Sequence, residues 1–279
     1  MAVQNKQKLN WLERNLAEGL IVDAAWLEAR GYSRSLRSQY VAAAWLEQPA
    51  RGVYRRPRGK LNWEQVVISL QIVLNLPVSL GGRTAIDLQG YAHYVPRTQH
   101  AVHLYTDTKS PGWLSKLPVQ VEFIIHNRHR FLPLVEQHID ALTLPGPDAG
   151  TEHVLSGALR LMYWQHLEWP LIMSTPERAI LELIDELPHN ETFHQVDVTM
   201  EGLVDLSPRR MQRLLEDATS IKVKRLFFFF AERHNHRWFK HISRENIDLG
   251  KGKRMIVKGG KFDPKYQITV PKEFLNAVS

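Results

Sequence analysis

Residues 1–60 are punctuated so closely by glycines and helix-capping side chains that they can form only short helices and a hairpin. NKQKLNWLERNLA, at 5–17, sets Leu9, Leu12 and Leu16 at helical spacing beside Trp11, and Gly19 ends that helix. Asp23 is placed to cap a second helix through Ala29, which Gly31 stops by supplying a left-handed residue. Ser33 is placed to cap a third, running to about Leu46. Its Leu36, Tyr40, Ala43 and Ala44 form one buried stripe, with Arg34, Ser35 and Ser38 opposite and Arg37 and Gln39 at the flanks. After Pro49, ARGVYRRPRGK reads as a strand with a basic turn. Three short helices, a tight turn and a basic hairpin make the pattern of a winged helix-turn-helix, whose third helix enters the major groove. The candidate DNA-binding residues are therefore Ser33, Arg34, Ser35, Arg37, Ser38 and Gln39 on the helix, and Arg51, Tyr54, Arg55, Arg56 and Arg58 on the wing. Arg34 and Arg37 stand where a base-reading guanidinium belongs; the wing arginines would meet phosphates. The competing reading is a three-helix protein-contact module with a charged surface.

Charge supports a polyanionic partner. The formal net charge of +7 divides into +6 over 1–60, −8 over 61–220 and +9 over 221–279. Clustered cations gain free energy by releasing the counterions of phosphates. With 44% apolar and 23% charged residues the chain is globular, and 279 residues predict two domains. The absence of cysteine excludes disulfides, a thiol nucleophile and thiolate zinc sites, and fits the cytoplasm. No signal-like segment follows the polar start, and LFFFFA at 226–231 is too short to span a membrane.

Beyond residue 60 the pattern predicts an α+β fold, a winged helix-turn-helix followed by a larger mixed α/β domain over 61–279, with subdivisions near 150 and 220. Trp63, Val66, Val67 and Leu70 recur at helical spacing, Pro77 breaks the run, and Gly81-Gly82 opens a second helix that Gly90 closes. GGRTAIDLQG lacks the spacing of a phosphate-cradling loop. AVHLYT (101–106), VQVEFIIH (119–126) and LRLMYW (159–164) read as strands. STPERAILELIDEL starts a helix with Ser174 or Thr175 as cap and Pro176 at its first position, and Ser207-Pro208 starts another. IKVKRLFFFFAERH is a helix burying Val223, Leu226, Phe227 and Phe230; the tail alternates basic glycine turns with MIV (255–257) and YQITV (266–270). Arg209, Arg210 and Arg213, with Lys251, Lys253, Arg254, Lys258 and Lys261, are candidate contacts to a phosphate or an acidic protein surface.

No constellation for catalysis stands out. The close histidine pairs, His100/His103, His126/His129 and His234/His236, lack a third ligand at a recognisable spacing, so no metal and no cofactor is expected. A nuclease would pair Asp107 with Glu122 on successive strands, but Ile124 stands where its cationic partner belongs. An enzyme acting on nucleic acid or a nucleotide, with dispersed catalytic groups, is the alternative to a binding protein.

Five blocks carry a family resemblance: LEQPARGVYRRP, NWEQVVISLQ, VSLGGRTAIDLQGYAHYV, STPERAILELIDELP and IDLGKGKRMIVKGGKFDPKYQITVP. In this order the chain resembles the AbiEi antitoxins of bacterial abortive-infection, type IV toxin–antitoxin systems. The resemblance implies a winged-helix repressor of its own operon, joined to a larger domain that neutralises a nucleotidyltransferase-like toxin encoded beside it, without a stable complex. An inverted-repeat operator would call for two copies of the chain, a dimer on DNA, with half-sites about 10 base pairs or a multiple apart.

Overall fold

The computed structural model describes residues 2–91, 100–127, 154–163 and 170–275. His129, Trp164 and the expected subdivision near 150 lie outside them.

Helix α1 (Ala2–Asn15) buries Leu12, and Leu16 just beyond it, and Gly19 follows at φ +84°. A three-residue strand that periodicity did not signal, β1 (Ile21–Asp23), leads into α2 (Ala24–Ala29), which Asp23 caps by accepting from the Trp26 amide at 2.8 Å. Helix α3 (Arg34–Ala42) is capped by Ser33, whose hydroxyl accepts from the Leu36 amide at 3.3 Å. It is shorter than expected, and Ala43 and Ala44 are exposed rather than buried, because Ala44 turns the chain left-handed at φ +59°. Strands β2 (Glu47–Ala50) and β3 (Val53–Arg55) form the wing around Arg51-Gly52, and β1 pairs antiparallel with β3, giving the sheet order β1-β3-β2.

The winged helix is fastened to the next element. Helix α4 (Trp63–Ile68) continues into a π-helical turn at Ser69–Val73. The Ser69 hydroxyl accepts from the Ile21 amide at 2.8 Å, and the Trp26 indole donates to the Val73 carbonyl at 3.1 Å. Beyond this lie β4 (Val78–Leu80), α5 (Gly82–Leu88), β5 (Ala101–Thr106), β6 (Glu122–Asn127), β7 (Val154–Leu155), β8 (Leu159–Tyr163) and β9 (Pro170–Ser174). The strands form one mixed sheet, β6-β5-β4-β9-β8-β7. Its middle seam, the parallel pair β4–β9, has a single register pair, Leu80↔Met173. The buried Gln71 carboxamide spans that seam, donating to the Val78 and Ile172 carbonyls at 3.1 and 2.8 Å and accepting from the Ile172 amide at 3.0 Å.

Helix α6 (Pro176–Asp185) is buried along its whole length and touches α5, α7 (Phe193–Gly202), α8 (Pro208–Asp217) and α9 (Ile221–His234). Neither Ser174 nor Thr175 caps it through its side chain: Thr175 holds the cap position without a side-chain bond, and the Ser174 hydroxyl turns to Glu182. All four phenylalanines of 227–230 are buried, more than one helical stripe can hold, because α9 is covered on several sides. The tail closes with β10 (Lys261–Asp263) paired to β11 (Ile268–Val270). Met255 of the apolar MIV piece is 72% exposed. One apolar core runs from Leu12 to Phe274, so the winged helix and the larger body share it.

Candidate nucleic-acid interface

The exposed face of α3 is polar and neutral except for one cation. Leu36, Arg37 and Tyr40 face inward, while Arg34, Ser35, Ser38 and Gln39 are exposed, as is Ser33 at the cap. The turn that aims the helix follows from Gly31 at φ +80°: the Gly31 and Tyr32 amides donate back to the Glu28 and Leu27 carbonyls at 2.9 and 3.0 Å, closing a Schellman motif. On the wing, Arg51 at the tip and Arg58 beyond it are exposed.

Four expected wing and helix contacts are corrected by their surroundings. Arg37 is 3% exposed; its guanidinium donates to the Tyr32 carbonyl at 2.8 Å and the Glu28 carboxylate at 2.7 Å, and lies 5.6 Å from the Tyr54 ring centre. A group so engaged braces α3 against α2 and the wing. Tyr54 is buried beneath it. Arg55 is 5% exposed, paired with Glu47 at 2.6 Å and donating to the Gly59 carbonyl. Glu47 is the sole carboxylate between residues 29 and 63, and Arg55 offsets its charge. Arg56 donates to the Glu13 and Leu16 carbonyls at 2.9 and 3.0 Å, closing the C-terminal end of α1. The Glu47–Arg55 pairing was not readable from the turn: a two-residue turn at 51–52 in regular register would set Gln48 opposite Arg55, and a register shift between Glu47 and Ala50 puts Glu47 there instead.

Further exposed cations lie on the body. Arg209 and Arg213 are exposed on α8, but Arg210 is ion-paired with the buried Glu177 at 2.9 Å and so belongs to the fold rather than to a cluster. Lys251, Lys253, Arg254, Lys258 and Lys261 are all exposed. The buried Arg225 guanidinium holds their turn by donating to the Leu249 and Gly252 carbonyls at 2.6 and 2.7 Å, and Lys253 lies 5.0 Å from the ring centre of Phe262.

The buried polar groups of the body are paired in a way sequence reasoning missed. Glu182, wholly buried, accepts from the Gly82 amide, the Ser174 hydroxyl and Arg178, each at 2.8–2.9 Å. Thus GGRTAIDLQG and STPERAI interlock in space. Beside them, Glu186 accepts from His126 at 2.9 Å, and His126 meets His103 at 2.9 Å with its ring stacked on Tyr105. Burial, then His126 and Arg83, lower the His103 imidazole to about 4, against the weaker pull of Glu186. Burial raises the Asp87 carboxyl to about 6 despite Arg83. Arg83 itself is held two-pronged by Glu191. His103 therefore partners His126 rather than His100, and His234 pairs with Asp197 at 2.9 Å while His236 meets the Met200 carbonyl. Asp107 and Glu122 are not neighbours: β5 and β6 run parallel with Ala101 opposite Glu122, so Asp107 lies past the far end of the pair, about 20 Å along at ~3.3 Å per residue. Among the described residues no three His, Asp or Glu side chains are grouped to hold a metal, and no helix is long and apolar enough to cross a membrane.

A winged helix carrying a free polar recognition face, set on a mixed α/β body, is the build of a DNA-binding regulator. Residues 5–97 match the N-terminal domain of the AbiEi antitoxin transcriptional regulators, and residues 99–271 match the family described as transcriptional regulator, AbiEi antitoxin, type IV TA system. The chain belongs to this AbiEi antitoxin family. The first match takes in α4, β4 and α5 together with the winged helix. No curated protein matches the chain in sequence. Among solved structures, the crystal structure of the RV2827C protein from Mycobacterium tuberculosis resembles it with a TM-score of 0.54 at 14% identity, over 98% of this chain and 94% of that one, which is a likeness of fold.

Proposed function

We propose that this chain represses its own operon by binding an inverted-repeat operator through residues 1–60, and that residues 61–279 counter a nucleotidyltransferase-like toxin encoded beside it, acting by binding rather than catalysis. The observation that carries the reading is the division of labour on the winged helix: Arg37, Arg55 and Arg56 are consumed by the fold, while Arg34, Ser35, Ser38 and Gln39 on α3, and Arg51 and Arg58 on the wing, stay exposed. Arg34 is the candidate base reader, suited to guanine O6 and N7, and the wing cations would fix register on phosphates. Arg209, Arg213 and the lysines of 251–261 are the candidate toxin contact, and no cofactor is assigned. The protein would work in the cytoplasm, where its operator lies, and as two copies on two half-sites.

A gel-shift titration at two salt concentrations, using the duplex upstream of the chain's own gene and a scrambled duplex of equal composition, tests the DNA reading. Arg34→Ala is expected to cost roughly 1–3 kcal/mol on the cognate duplex and to relax specificity, while Arg51→Ala weakens both duplexes and flattens the salt dependence. Equal affinity of the wild type for both duplexes would overturn it. Growth rescue on co-expression with the adjacent gene product tests the antitoxin reading.

A further inference from the structure

The same helix-ending motif occurs twice in the winged helix, and its outcome differs. In α2 the left-handed residue is Gly31, and the next residue, Tyr32, packs inward at 1% exposure above Leu27, as the residue in that position commonly does. In α3 the Ala44 amide donates to the Val41 carbonyl at 3.1 Å and the Trp45 amide to the Tyr40 carbonyl at 2.9 Å, the same pair of bonds. Here the left-handed residue is alanine, a conformation that disfavours a Cβ, and the following Trp45 is 47% exposed. Its indole makes no ring contact or hydrogen bond among the described residues, whereas Trp26 and Trp238 donate to carbonyls and Trp11 makes tilted ring contacts with Trp26 and Tyr32.

Trp45 sits between two fixed points. Behind it, Tyr40 is buried; ahead of it, Leu46 is 1% exposed and Glu47 is tied to Arg55. The backbone is thus held while the largest apolar side chain of the segment is half exposed, continuing the exposed run of Ala42, Ala43 and Ala44 from recognition helix to wing. The same helix and wing carry the exposed cations Arg34, Arg51 and Arg58, while the carboxylates Glu28 and Glu47 are paired with Arg37 and Arg55. An indole offers an apolar face and one N–H donor, which suits a deoxyribose and its phosphate oxygen.

We propose that Trp45 is a DNA-contacting residue that packs on the sugar–phosphate backbone at the groove edge, its Nε1–H donating to a phosphate oxygen, so that it fixes how deeply α3 enters. This rests on the operator-binding reading above. Since the contact carries no base information, Trp45→Ala should weaken binding to the upstream duplex and to the scrambled duplex alike, by about tenfold, with Trp45→Phe intermediate. The difference in tryptophan emission between the wild type and Trp45→Phe reports this residue, and its acrylamide quenching should fall when the full-length protein is saturated with either duplex. If the wild type binds duplex but Trp45→Ala binds both as tightly and quenching is unchanged, the inference is overturned while operator binding stands. A loss confined to the upstream duplex would make Trp45 a base reader and overturn the backbone contact. An unaltered affinity with a changed sedimentation coefficient would make it a protein contact instead. A wild type that binds neither duplex overturns the operator reading and this inference with it.

Discussion

Gly81 shows how little room single residues have in the body of this protein. A Cβ there would stand 2.3 Å from a Glu182 carboxylate oxygen and 2.4 Å from the Tyr105 ring. Gly81→Ala is therefore expected to lower stability by at least about 1–3 kcal/mol, read as a reduced urea midpoint with an unchanged slope. Arg37 makes the complementary point on the winged helix. Arg37→Ala removes a charged donor from the Tyr32 carbonyl and is expected to cost about 2 kcal/mol of folding stability. The folded fraction should retain its preference between duplexes, and thermal unfolding beside gel-shift titration separates this from Arg34→Ala, which should leave unfolding unchanged. Caps were legible at this scale: Asp23 and Ser33 act as their spacing implied, since a cap depends on an amide three residues away. The fates of Arg37, Arg55, Arg56 and Arg210 were not, because each depends on a partner from another element.

Among elements, α6, α8, α9 and β5 were readable from caps and periodicity, whereas α7, as long as α6 and α8, was not singled out. Strands β1, β4 and β10 were not, since three residues carry too little alternation to stand out. β9 is buried throughout and reads as an apolar run without period. The seam between β4 and β9 is the sheet's weakest pairing by register, and Gln71 supplies bonds there that the strands do not make to each other. Gln71→Leu keeps the volume but leaves the Val78 and Ile172 carbonyls and the Ile172 amide without this partner. Its expected cost is about 3 kcal/mol, with amide exchange in β4 and β9 accelerating before that in β5 and β6.

For the whole molecule, the chain Glu186–His126–His103 joins the helical layer to the β5–β6 edge of the sheet, and it sets a pH dependence. Folded His103 takes a proton only near pH 4, whereas the unfolded side chain takes one near its ordinary 6.5. Between these values the unfolded state holds more protons, so the stability is whole above pH 6.5 and is lost as pH falls toward 4, by up to about 3 kcal/mol. Asp87, raised to about 6, binds its proton more tightly in the folded state and acts in the opposite sense below pH 6, so the His103 share is read by difference: the urea midpoint of the wild type relative to that of His103→Gln should fall as pH goes from 8 to 4. The charge division of +6, −8 and +9 is reshaped by the same long-range pairing: three of the arginines counted in the first segment, and Arg210 in the middle, are spent inside the fold. By itself the sequence determined where α2, α3 and α8 begin, that a basic hairpin follows α3, and the order of blocks that marks the family, because each is a matter of residues within a few positions of one another. Only the tertiary structure decided which cations face solvent, that Glu182 locks together blocks 100 residues apart, and that Trp45 is left half exposed, because burial and charge pairing are properties of neighbours in space rather than in sequence.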